Sequence, residues 1–155
     1  MKKIILKNEE MFPEVSKMLE DGFSVTIPVK GFSMLPTIVA ERDLVVLEAA
    51  PSYRKDDIVL FCLAGRWILH RVIRVDGEAF TIRGDGILRN VEKCFRGDIR
   101  GRAVTILRKG TKPVNPYSRR QILRLRLWNL LRPFRRYLLY LYRHLPWISK
   151  YLAII

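Results

Sequence analysis

After Asp98 the chain carries no acidic residue, although it runs on to Ile155 through a further 14 lysines and arginines. Residues 1–98 hold 15 Lys and Arg against 15 Asp and Glu, so the whole formal charge of +14 belongs to residues 99–155. The balanced part reads as an ordinary folded domain, and the basic part as a segment that meets an anionic surface. The chain is equally poor in cysteine. Cys62 and Cys94 are the only two, without metal-ligand spacing, which excludes a disulfide framework and a zinc site of the usual kind. Cys62, inside the apolar run 58–63, reads as a core thiol, and a bridge to Cys94 is the less favoured alternative. There is no run of about 18 apolar residues, so no spanning helix is expected. Ile4, Ile5 and Leu6 make too short an apolar stretch for a secretory leader. Nothing in the chain suggests a metal, a nucleotide or an organic cofactor.

A chain of 155 residues holds one compact domain and an appendage. Phe12, Val15, Met18 and Leu19 recur at helical spacing, with Pro13 suited to a first turn and Gly22 to a stop, which predicts a short helix over 12–21. The period then changes to two. Residues 25–29, 44–47, 58–63, 67–75, 80–82 and 104–107 are strand-like and separated by turn residues, so the expectation is a small, mostly β, antiparallel domain over 1–110. Thr111–Pro116, with two prolines and an Asn, reads as a linker, and 117–155 as a helical tail interrupted at Pro133 and stopped at Pro146.

Three segments bear chemistry: Gly31-Phe32-Ser33-Met34-Leu35-Pro36-Thr37, Leu69-His70-Arg71-Val72-Ile73 and Ile82-Arg83-Gly84-Asp85. A serine hydroxyl is a weak nucleophile until a base takes its proton, and imidazole, with an ordinary pKa of about 6.5, is such a base near neutrality. His70 shares a strand face with Ile68 and Val72, an unusual place for a solvated histidine. Pro36 suits the first turn of a helix, which would set Ser33 at a strand-to-helix corner whose N–H groups hold an oxyanion. Each segment alone has a bland reading: a serine cap, a satisfied core histidine, a Gly-Asp-Gly hairpin turn.

In this order the three segments resemble the signal peptidase family of serine endopeptidases. A histidine at the base position makes the likeness closest to its endoplasmic-reticulum type. The resemblance covers about residues 22–108. It implies Ser33 as nucleophile, His70 as general base and acid, and Asp85 as the carboxylate that orients the imidazole. It also implies that an extended peptide adds to an exposed strand edge, with Val25, Ile27, Val29 and Met34 as substrate-binding candidates and small side chains near the cut. The chain departs from the family pattern in three places. No membrane anchor precedes Ser33, the position two before it is Gly31 rather than a hydroxyl residue, and the next acidic residue after Asp85 is Glu92. Asp43 resembles a family turn residue and reads as structural.

In the tail, Leu123, Leu127, Leu130, Phe134, Leu138, Leu141 and Leu145 form one stripe, with Arg132, Arg136 and Arg143 nearly opposite. That pattern suits an interfacial helix on an anionic membrane, with Trp128, Arg132, Arg136, Arg143 and Trp147 as membrane contacts. The same stripe also suits packing on the β domain or on a partner. Nucleic acid suits it less, because a continuous apolar face is wasted on phosphates. The expectation is therefore a cofactor-free peptidase acting on signal or leader peptides, peripheral to a membrane at its cytoplasmic face. The rival is a non-catalytic membrane- or partner-binding module on the same fold.

Overall fold

The structure, a computed structural model, describes residues 8–145. Helix α1 spans Asn8–Glu20, starting earlier than its periodicity predicts, so that Pro13 lies inside it rather than in its first turn. It ends as expected. Gly22 takes a φ of 84°, and the N–H of Phe23 closes onto Met18 O at 2.9 Å, a left-handed cap that only glycine adopts without strain. Val15 and Leu19 of α1 are buried, and Phe12 stacks on Trp67 with ring centroids 5.3 Å apart.

The strands are β1 (Val25–Pro28), β2 (Leu44–Glu48), β3 (Ile58–Leu63), β4 (Arg66–Asp76), β5 (Ala79–Arg83), β6 (Glu92–Phe95), β7 (Ile99–Arg108) and β8 (Lys112–Val114). They form one sheet in the order β1-β2-β7-β3-β4-β5-β6, with β8 also on β7. Every pairing is antiparallel. β3 is central. Ile58 and Leu60 face an apolar cluster containing Val15, Leu19, Ile27 and Ile106. Val59 and Phe61 face a second cluster with Val72, Phe80 and Ile82. A short, unbroken apolar run is what burial on both faces requires. The chain is thus mostly β and antiparallel, with a short N-terminal helix and C-terminal helices.

Four expectations need correction. β7 begins at Ile99, five residues before the predicted strand, and β6 has no predicted counterpart. Half of the 111–116 linker is β8, whose register Leu107↔Pro113 seats the proline on a strand that only β7 pairs, where its missing N–H costs nothing. The fully buried thiol is Cys94, not the half-buried Cys62, and both are free. Burial and the nearby Asp98 charge push the Cys94 thiol up to about 11. Asp43 is structural, as read. Its carboxylate accepts from Val39 N at 3.0 Å and from Arg108 Nη1 at 2.5 Å. Burial favours its neutral form, but hydrogen bonds from Arg42 and Val39 and the Arg108 charge outweigh that and lower its pKa.

Beyond β8 lie α2 (Arg119–Leu130) and α3 (Arg135–His144), divided at Pro133 as predicted. Among the described residues no helix is long and apolar enough to cross a membrane. Pro146 and Trp147 lie outside the described residues. The tail packs against the sheet domain: Trp128 and Leu139 bury themselves on Leu35. Tyr117 anchors its start. Its hydroxyl donates to Ala103 O at 2.7 Å and accepts from Ile58 N at 3.1 Å, extending the β3–β7 ladder just past its Val59↔Arg102 pair.

Burial is the main reason that the Tyr117 phenol is pushed up to about 12; the charge of Asp57 adds to it, and the Ile58 N–H bond opposes it. A folded value above the ordinary value of about 10 contributes stability that is complete below pH 10 and is lost as pH rises toward 12. Tyr117→Phe should cost about 1–3 kcal/mol in urea unfolding at neutral pH, because it strands an N–H and a carbonyl. The gap between wild type and variant should narrow above pH 10, and a gap constant with pH would contradict the assignment.

Candidate active site

Ser33 follows β1 after Gly31, whose φ is 77°. Its segment forms successive turns rather than the expected helix: Leu35 N bonds Phe32 O at 3.2 Å and Ile38 N bonds Met34 O at 3.0 Å. Side chains hold the segment in place of helical bonds. Met34, Leu35 and Ile38 are all buried, and Thr37 Oγ1 donates to Asp85 Oδ2 at 2.5 Å. Ser33 itself is half-buried. Its carbonyl accepts from Gly86 N at 2.8 Å, while no hydrogen bond among the described residues engages its hydroxyl or its N–H.

His70 lies on β4 opposite Val59, and its ring is 6.4 Å from that of Phe61. It is 6 % exposed. Its Nδ1 lies 3.1 Å from Glu92 Oε2. A carboxylate in that position accepts, so Nδ1 donates and the neutral ring presents Nε2 as the acceptor. Nε2 faces the serine segment. A methyl group added to Gly84 would lie 3.0 Å from His70 Nε2 and 2.3 Å from Ser33 O, so the two flank one small space beside Gly84.

The predicted role of Asp85 is corrected. Its carboxylate turns away from His70 and takes a bidentate pair of bonds from Arg71, Nε to Oδ1 and Nη2 to Oδ2, each 2.8 Å. Arg71 Nη1 also donates to Asp56 O at 2.7 Å. Burial works against the Arg71 charge, but Asp85 outweighs it and raises the guanidinium further. Successive residues of a strand face opposite sides, so His70 and Arg71 cannot share one carboxylate. Glu92 faces the histidine instead because its register opposite Ile82 carries the sheet on from Ile82 opposite Val72, on the His70 side of β4. The turn reading of Gly84-Asp85-Gly86 also holds, since Ile87 N bonds Gly84 O at 2.9 Å.

The other predicted residues separate. β1 pairs only with β2 and leaves its other edge open among the described residues. Val25 and Ile27 point into the core, as does Met34 at 1 % exposure, so their side chains cannot line a substrate groove; Val29 is half-buried against the same cluster. Trp128 is buried too, which removes it from the membrane contacts. Its Nε1 donates to Asp85 O at 2.8 Å, and the Arg135 guanidinium covers its ring at 5.1 Å. Arg132, Arg136 and Arg143 are exposed. Arg143 lies over the exposed ring of Phe32 at 5.7 Å, next to Ser33. No cluster of three ligating side chains suited to a metal occurs among the described residues. No protein-family model matches the chain, and no curated protein matches it.

The two glycines beside Asp85 have no room for a side chain: a methyl group at Gly86 would come within 2.6 Å of Phe32 O. Gly84→Ala and Gly86→Ala should each destabilise by about 1–3 kcal/mol in denaturant melts, as overpacking does. Gly97, with nothing within 4 Å, should tolerate alanine within about 0.5 kcal/mol. Equal tolerance at all three would mean that the turn and the serine segment are not in close contact.

Proposed function

We propose that the chain is a serine endopeptidase of signal-peptidase type. Ser33 is the nucleophile, His70 the general base and acid, and Glu92, in place of Asp85, the carboxylate that holds the imidazole. The observation that carries this reading is the two-sided setting of His70, with Nδ1 on Glu92 and Nε2 turned to the serine segment across Gly84. Ser33 Oγ attacks the peptide carbonyl as Nε2 takes its proton. The unengaged N–H of Ser33 is available to the oxyanion, and the imidazolium then gives its proton to the leaving amine. Water, activated by the same nitrogen, releases the acyl group. The open edge of β1 suits an extended signal or leader peptide, recognised through main-chain hydrogen bonds rather than through Val25 or Ile27 side chains.

The rival reading, a non-catalytic module on this fold, draws on the lack of a hydrogen bond between the Ser33 hydroxyl and His70. Free enzymes commonly show that contact loose and tighten it on substrate. With purified full-length protein and a signal-peptide library, Ser33→Ala and His70→Ala should each abolish cleavage. Glu92→Gln should lower kcat by roughly 10²–10⁴ by presenting the wrong tautomer. Unchanged activity in Glu92→Gln would remove Glu92 from the mechanism, and cleavage by Ser33→Ala would end the peptidase reading.

Membrane association belongs to the same proposal. With Trp128 and Leu139 turned inward, Leu127, Leu130 and Phe134 remain 52 %, 77 % and 61 % exposed, amid a tail without acidic residues. Acyl chains and anionic headgroups together fit such a surface. The full chain should float with anionic vesicles, and replacing these three residues by serine should abolish flotation without changing the circular dichroism. Equal flotation of both proteins would exclude this surface as the contact.

A further inference from the structure

A second feature lies behind Asp85, on the side away from His70. A cleft of about 240 Å³ separates the tail from the sheet, and its walls include Lys55, Arg71, Arg83, Arg132 and Arg135, with only Asp56 and Asp85 as acidic groups. Arg71 and Asp85 neutralise each other at 2.8 Å. Arg135 is spent on Trp128 O at 2.9 Å and on Asn129 Oδ1, neither of which carries charge. Arg83 and Arg132 form no ion pair and no side-chain hydrogen bond among the described residues. Like charges therefore converge from two elements, β5 and the α2–α3 junction, and the nearest carboxylate, Asp85, is already held by Arg71.

From this convergence we infer that the cleft is a binding site for a phosphate-type dianion, a phosphomonoester or inorganic phosphate, held by Arg83, Arg132 and Lys55. Guanidinium forks match the geometry of phosphate oxygens, and a dianion cancels more of the surplus than a single carboxylate does. Burial and then the Arg132 charge lower Arg83, and burial and then Arg83 and Arg132 lower Arg135, in each case against the opposing charge of Asp85. This is the signature of cations held close to one another, which a bound anion would relieve. The ligand bridges the sheet to the tail, and so tightens the contact that Trp128 makes with the Asp85 backbone. The site does not depend on the peptidase reading.

The test uses the full chain. Saturating inorganic phosphate, compared with chloride at matched ionic strength, should raise Tm by at least about 4 °C. Arg83→Gln should lose most of that rise while keeping or raising the phosphate-free Tm, since it removes a like charge. Arg89→Gln, at an exposed position in the loop after β5 and outside the cleft lining, should retain it. A second arm compares vesicles of phosphatidylcholine containing phosphatidic acid with vesicles containing phosphatidylglycerol at equal charge. A loss of binding in Arg83→Gln confined to phosphatidic acid identifies a lipid headgroup as the source, whereas a phosphate response in solution alone identifies a soluble ligand. A rise equal in wild type and Arg83→Gln overturns the site, and so does the absence of any Arg83-dependent response in both arms.

Discussion

The ion pair between Arg71 and Asp85 joins four parts of the molecule that the chain order keeps apart. Both side chains are about 95 % buried, so each charge has lost its water and must be satisfied by protein. Arg71 does this for Asp85 with two bonds and Thr37 with a third, which fastens the serine segment to the end of β5. Asp56 O takes a further guanidinium hydrogen, and Trp128 binds the Asp85 carbonyl. Removing one partner of such a pair leaves an uncompensated buried charge, at a cost of about 3–5 kcal/mol. The pair is therefore a poor site for drift, and it explains why glycine is needed on both sides of Asp85. Only a bare backbone brings the turn close enough for Gly86 N to reach Ser33 O at 2.8 Å.

That constraint separates the chemistry of two neighbouring residues. His70 and Arg71 are adjacent on β4 and face opposite sides of the sheet. On its side Arg71 is buried and its guanidinium is held by Asp85 and Asp56 O, as a structural joint has to be. The His70 side carries a single ring contact with Phe61 and a single carboxylate, 25 % exposed, so one nitrogen is held and the other is left for a proton. Two carboxylates thus divide two tasks, and burial decides between them. The more deeply buried one takes the permanent cation, and the more accessible one takes the group that must change its charge in the proposed reaction.

How much of this was legible in sequence follows from which signals are local. β3 could be read because it is apolar over all six residues, and β2 and β4 because they are rich in branched apolar residues and bounded by turn residues. Ser33 and His70 stood in recognisable contexts. Glu92 could be named only as the next acidic residue after Asp85 and not singled out as the partner, because β6 is only Glu-Lys-Cys-Phe: too short and too charged to announce a strand, and its facing is set by register with β5 rather than by its own pattern. β8 was hidden by its proline. Asp85 lies in a turn beside the serine segment, but its carboxylate is aimed at Arg71, a residue that no spacing rule connects to it.

In the tail the leucine stripe and the docked face are not the same. Counting leucines gives a stripe through Leu123, Leu127 and Leu130, yet all three are exposed. The face that docks is chosen by Trp128, the largest apolar side chain of α2, together with Leu139 of α3. Arg135 is drawn inward with them to 2 % exposure, because its guanidinium finds both an aromatic face and carbonyl oxygens. The docked face and the exposed apolar face are thus different, so the proposed membrane contact does not compete with docking. Each exposed leucine or phenylalanine that enters an acyl layer contributes about 1.5–3 kcal/mol, none of it at the expense of the Trp128 contact. Since Arg143 of the same tail lies over Phe32, one residue from Ser33, a membrane-seated tail would hold the serine segment close to the lipid surface. Under the proposed function, that is where a peptide leaving the bilayer would meet the nucleophile.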